Sequence, residues 1–240
     1  MTRSHTSSLS WPRSIVLHLA PGAAATLLFI ATAPVLAQAG LPTAWAMFGA
    51  VLLVLAPSQL AIMRRWSPDG RIRSIVDIRW PALRRFLLMF LPTLAAAALA
   101  PGLVQWLEPA LHRTMQVVLP SWWDLDPGAL GARPAWQAAI TLTGWLLCFV
   151  VIGPITEELY FRGFLLPRLP GRPAVAVPAN AILFALYHGW QPYTWATVAI
   201  FAVPLAMVAL RARGVVVAAA VHGTVNLFGL LIMLNVELGR

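Results

Sequence analysis

The sequence predicts an all-α fold, a polytopic transmembrane helical bundle of about seven spans around a polar cavity, with an eighth helix allowed for. Three observations predict it. Of 240 residues, 60% are hydrophobic and 10% charged, with a mean hydropathy of +0.77, whereas soluble domains carry roughly 25% charged residues. Apolar stretches near the ~20 residues that cross a bilayer recur along the chain. Arginines cluster in alternate loops between them. Residues 1–240 read as a single membrane-integral domain, because a soluble domain of useful size has nowhere to fit.

The expected segments are 14–37, 43–63, 86–107, 135–166, 177–190, 193–211 and 214–236. The first follows Arg3 and Arg13 and ends at Val35-Leu36-Ala37, which resembles a signal cleavage site. It is longer than a signal h-region, so a retained first helix is expected. The fourth contains no charged residue from Trp136 to Ile155. The fifth is short for a span.

The stretch 64–85 holds Arg64, Arg65, Arg71, Arg73, Arg79, Arg84 and Arg85 against Asp69 and Asp77, which predicts a cytoplasmic loop. Alternation then puts the N-terminus, 162–173 (Arg162, Arg168, Arg172) and 211–213 (Arg211, Arg213) on the same side. The segments 38–42, 108–134, the 190–193 turn and the C-terminal end face outward. They carry only Arg113, Arg133 and Arg240, with Glu108, Asp124, Asp126 and Glu237. The expectation is a multi-pass protein of the cell inner (plasma) membrane, N-terminus cytoplasmic and C-terminus external, with the lipid bilayer as a partner. In the 108–134 loop, Trp122 and Trp123 beside Asp124 read as an interfacial anchor.

The formal net charge of +9 comes with no lysine, a usage that fits a GC-rich bacterial genome. Loop topology accounts for the charge. No basic patch with interleaved aromatics is present, so no nucleic-acid partner is expected. Cys148 stands alone between Leu147 and Phe149. It excludes a disulfide framework and a cysteine zinc site, and reads as a packing residue.

Chemistry concentrates in three pairs at helical spacing. Glu157 and Glu158 lie inside the fourth segment, where each ionisable group costs roughly 3 kcal/mol or more. Such a pair is kept for chemistry, for ion movement or for an obligatory helix contact. Glu158 and Arg162 share a helix face and can pair; Glu157 points about 100° away, with no basic residue three or four positions off. Phe184 and His188 are four apart on the fifth segment, and His222 and Asn226 on the last. His and Asn in membrane helices serve as interhelical glue and can also donate to an oxyanion. With helix rise at 1.5 Å per residue, inner faces at residue 166 and Gly214, and Pro178 starting the fifth helix, Glu157, His188 and His222 fall roughly 13, 15 and 12 Å deep. Of the other histidines, His5 and His112 are expected in loops and His18 at the membrane interface.

The ordered set Glu157-Glu158-x-x-x-Arg162, Phe184-x-x-x-His188 and His222-x-x-x-Asn226, with Gly163 closing the first motif, resembles the CPBP intramembrane protease family, also called ABI. This family comprises the CAAX-type prenyl endopeptidases and the bacteriocin-processing or immunity proteins. The resemblance covers about 145–230, the motif-bearing core; residues 1–130 match no motif. It implies an all-helical bundle around a water-filled cavity, and hydrolysis of a peptide bond in a membrane-embedded or membrane-tethered peptide or protein substrate. By the same resemblance Glu157 with His188 would activate water, and His222 with Asn226 would stabilise the oxyanion. Glu158 and Arg162 would support the site and Phe184 would wall it.

The residue types agree with that chemistry, since water needs a base and a peptide carbonyl needs donors. Glu157, His188 and His222 are equally a candidate ligand set for a divalent metal such as zinc; no cofactor is the preferred reading. Two other functions compete with an intramembrane endopeptidase. One is a non-catalytic membrane binding or bacteriocin-immunity protein. The other is a proton-coupled transporter, against which stands the lack of an internal inverted repeat.

Overall fold

The computed structural model describes residues 8–104, 106–125 and 130–238. Arg3, His5, Asp126 and Arg240, assigned above to loops, lie outside the described residues, as does the side chain of Glu237. Eight main helices and no strand form among the described residues. They are α1 (Trp11–Gln38), α2 (Ala44–Trp66), α3 (Leu83–Val104), α4 (Glu108–Val118), α5 (Ala135–Arg168), α6 (Pro173–Tyr187), α7 (Pro192–Ala212) and α8 (Val216–Leu238). Six of them are long and apolar enough to cross a membrane; α6, with 15 residues, is shorter. This is a multi-pass membrane protein. Its outer surface carries large apolar side chains such as Leu53, Leu83, Leu103 and Ile232, which suits contact with lipid tails.

Helix ends follow local chemistry. Proline sits in the first turn of α1, α4 and α6, where its missing N–H costs nothing. Helix α7 stops because Arg213 takes a left-handed conformation at φ 56° and the Gly214 N–H closes back onto Ala209 O at 3.2 Å, a helix-terminating turn. Helix α5 is irregular around Pro154. Wider i→i+5 turns over Trp145–Ile152 and Glu158–Leu165 flank the short α-helical stretch Gly153–Glu157, and absorb the donor that proline lacks.

Packing places α6 against α7 most extensively, α1 against α2 and α6, and α8 against α3, α7 and the irregular part of α5. The loops sort to two ends as the alternation predicts. At one end Val215 N–H donates to Asp77 O at 3.2 Å, Leu9 N–H donates to Arg168 O at 2.8 Å, and Arg13 lies over the Trp66 ring at 4.6 Å. Gly163 is packed so closely on Val76 and Val215 that a Cβ would collide with them, which accounts for a glycine there. An exposed turn at this end is pinned by Asp69. The Ser74 and Ser67 hydroxyls and the Arg71 N–H donate to its carboxylate and hold it well below the usual carboxylate range. At the other end Arg133 Nη1 donates to Gly40 O at 2.8 Å and Thr43 to Asp124 O at 2.6 Å.

Four expectations change. The segment 108–134 contains a helix, α4, where a loop was expected. The helix is short and amphipathic with no buried residue, so hydropathy misses it, and His112 lies on it, bonded to Asp124 at 2.8 Å. His18 is fully buried rather than interfacial. Its Nδ1 donates to Ser14 O at 2.7 Å, and its Nε2 accepts from Asn180 at 3.2 Å. The Trp122–Trp123 pair, with no change to its reading as an anchor, packs on Phe29 of α1, with ring centroids at 6.2 and 5.9 Å. Arg162, counted with a loop, is buried inside the bundle. Pro178 is internal to α6, which begins at Pro173, so His188 does not lie at the depth that a start at Pro178 gave.

Candidate active site

A cavity of about 520 Å³ runs between α2, α3, α5, α6, α7 and α8. Glu157, Phe184, His188, His222 and Asn226 all line it. Glu158 and Arg162 do not, which is the separation expected from the 100° offset of adjacent helical residues.

Glu157 closes the α-helical stretch of α5 and Glu158 opens the wider turns, both buried. Arg162 Nη1 lies 3.1 Å from Glu158 Oε1, both side chains without solvent contact. The guanidinium also sits over the Phe184 ring at 4.0 Å, so one carboxylate and one ring face compensate its charge. His222 stands between the two acids. Its Nδ1 donates to Glu158 Oε1 at 2.9 Å, and its Nε2 is 3.9 Å from Glu157 Oε2. Gly223 brings α8 this close, because a Cβ there would lie 3.0 Å from Val150 O.

His188 caps the end of α6. Its Nδ1 is 2.8 Å from Phe184 O, and a carbonyl accepts only from N–H, so the tautomer is fixed and Nε2 keeps a lone pair. Phe184 meets His188 edge to face at 4.8 Å and His222 at 6.1 Å. It thereby holds both imidazoles against one ring.

Asn226 has a local reason for its place. In the i→i+5 register of Trp145–Ile152 the Phe149 carbonyl faces residue 154, a proline without N–H. Asn226 Nδ2 supplies that donor at 2.7 Å. One hydrogen of the same NH₂ group is thereby used and the other is left.

Two contributors were not foreseen. Tyr187, fully buried on α6, accepts from Gln59 Nε2 of α2 at 3.0 Å, and its ring packs on those of Phe184 and His188, with centroids 6.0 and 5.0 Å away. Gln59 is a lone polar residue in an apolar segment, and that isolation was the available signal. Cys148 is a buried packing residue of the cavity wall.

The candidate zinc ligands Glu157, His188 and His222 do not converge on one point. Among the described residues no group of three His, Cys, Asp or Glu side chains could hold a metal ion. What the site offers is a buried carboxylate, two imidazoles and an amide around one apolar-walled space.

Residues 139–228 match the family model described as Type II CAAX prenyl endopeptidase Rce1-like. The match spans all three motif pairs, from Glu157 to Asn226. No curated protein and no solved structure matches the chain.

Proposed function

We propose, from the match of residues 139–228 to the Rce1-like type II CAAX prenyl endopeptidase model, a family of peptidases, that this protein is an intramembrane endopeptidase acting through Glu157-activated water. The observation that supports this reading most is the gathering of Glu157, His188, His222 and Asn226 on one cavity. Glu157 takes a proton from water as it attacks the peptide carbonyl, and His188, accepting at Nε2, orients that water. His222, doubly protonated and held through Nδ1 by Glu158, donates from Nε2 to the oxyanion. Asn226 donates its remaining amide hydrogen. The proton on Glu157 then passes to the leaving amine as the C–N bond breaks. Glu158 and Arg162 position His222, Phe184 sets the two rings, and no covalent intermediate is needed. The substrate is a membrane-embedded or membrane-tethered peptide segment. The arginine-rich end carrying 64–85 faces the cytoplasm of a cell whose plasma membrane holds the protein.

The test is cleavage of a quenched membrane-peptide library by wild type and Glu157→Ala in detergent, with and without chelator and with bound zinc measured. Loss of the general base lowers turnover by about a hundredfold to ten-thousandfold. Chelator-sensitive cleavage with stoichiometric zinc that disappears in Glu157→Ala would make Glu157 a metal ligand instead. Absence of cleavage, with full cellular function retained in Glu157→Ala and His188→Ala, would favour a binding or immunity role.

A further inference from the structure

The cavity contains a second acid that the proposed reaction does not use. Glu108, the first residue of α4, lines the same cavity as Glu157 and His222. Its Oε2 accepts the Thr197 hydroxyl at 2.5 Å, which leaves Oε1 uncommitted among the described residues. The other polar residues around it, Gln191, Thr194 and Thr197, are neutral. Among the described residues, no arginine lines this cavity. In a protein whose net charge is +9, Glu108 and Glu157 are, among the described residues, the two carboxylates that line this space. Apolar walls strengthen that field over its value in water.

We propose that Glu108 is a specificity-determining residue, receiving a Lys or Arg side chain of the substrate close to the scissile bond. The proposal rests on the endopeptidase reading above.

The experiment compares kcat/KM for three peptides identical except for Lys, norleucine or Glu at one position, each as a C-terminal amide. Wild type, Glu108→Gln and Glu108→Arg are assayed. Gln keeps an oxygen for the Thr197 hydroxyl and removes only the charge; gel filtration and a thermal melt verify that each variant is folded. Wild type is expected to prefer Lys over norleucine about tenfold or more, the worth of one charge-assisted hydrogen bond. The preference falls to near unity in Glu108→Gln and turns toward Glu in Glu108→Arg. Equal cleavage of all three by wild type, unchanged in Glu108→Gln, overturns the proposal and leaves the peptidase reading intact. Should nothing be cleaved, the peptidase reading fails. Binding of the same peptides, fluorescently labelled, to Glu157→Gln protein with and without Glu108→Gln then decides the matter. A Lys preference lost with Glu108 supports the proposal, and equal affinities overturn it.

Discussion

Glu158 and Arg162 face each other with no solvent contact, and neither can lose its partner without leaving a charge in an apolar interior. Arg162→Ala is expected to destabilise the protein by about 3–5 kcal/mol, the penalty for an orphaned buried charge. The pair replaced together by Glu158→Leu and Arg162→Met loses less than the sum of the single changes. A double-mutant cycle of detergent unfolding measures that difference. Activity separates the two effects, since even a stable double variant lacks the acceptor that orients His222. The four-residue spacing made this pair legible in sequence, because it is fixed by the helix alone. The contact of His222 with both acids was not legible, since it depends on how closely α8 approaches α5 at Gly223.

At the scale of the helix, Pro154 and Asn226 form a matched set. Asn226→Ala leaves the Phe149 carbonyl without a donor, at an expected cost of about 1–3 kcal/mol. In a Pro154→Ala background the backbone regains its N–H, and the same Asn226→Ala change should cost much less. Turnover should stay low in both backgrounds, because the proposed oxyanion donor is gone in each. A cost that stays the same in both would show that the amide does not serve the proline gap. The Asp69 turn makes a different prediction. Its carboxyl is depressed, so its contribution is present above the unfolded value and lost only as pH falls through the lower folded one. Amide protection across Ser67–Ser74 should therefore persist below about pH 4, where an ordinary aspartate protonates. Asp69→Asn should remove it at neutral pH, and hydrogen exchange reads both. The helices themselves were legible to within four residues at each end because hydropathy reports them directly. Helix α4 was hidden, because about half of each turn is polar and its eleven residues are about half of a span.

For the whole molecule, grouping the loops into two ends is a statement about topology that labelling can check. With Cys148 replaced by alanine, single cysteines at exposed Arg73 and Val117 should react oppositely with an impermeant maleimide on intact cells. Position 117 is labelled at once and position 73 only after lysis; the reverse pattern would invert the orientation. The motifs of residues 157–226 were readable because each lies within one helix. Gln59 was not, because it joins the site through Tyr187 across 128 positions of sequence, and a single polar residue in an apolar run carries no local sign of its partner. Half the chain that matches no motif therefore still builds the reaction chamber.

The two ends of that chamber are constructed differently. Around Glu157 several spans interlock through buried side chains, and none can shift without unpacking its neighbours. Around Glu108 the wall is an eleven-residue helix with no buried residue, attached through Thr197, Asp124 and a ring contact of His112 with Tyr193 at 4.4 Å. Variation will accordingly be tolerated very unevenly. On the proposed reading, changes along 108–118 alter which peptide is accepted while the residues around Glu157 stay the same, so diversification of substrate preference should be concentrated in that one short helix.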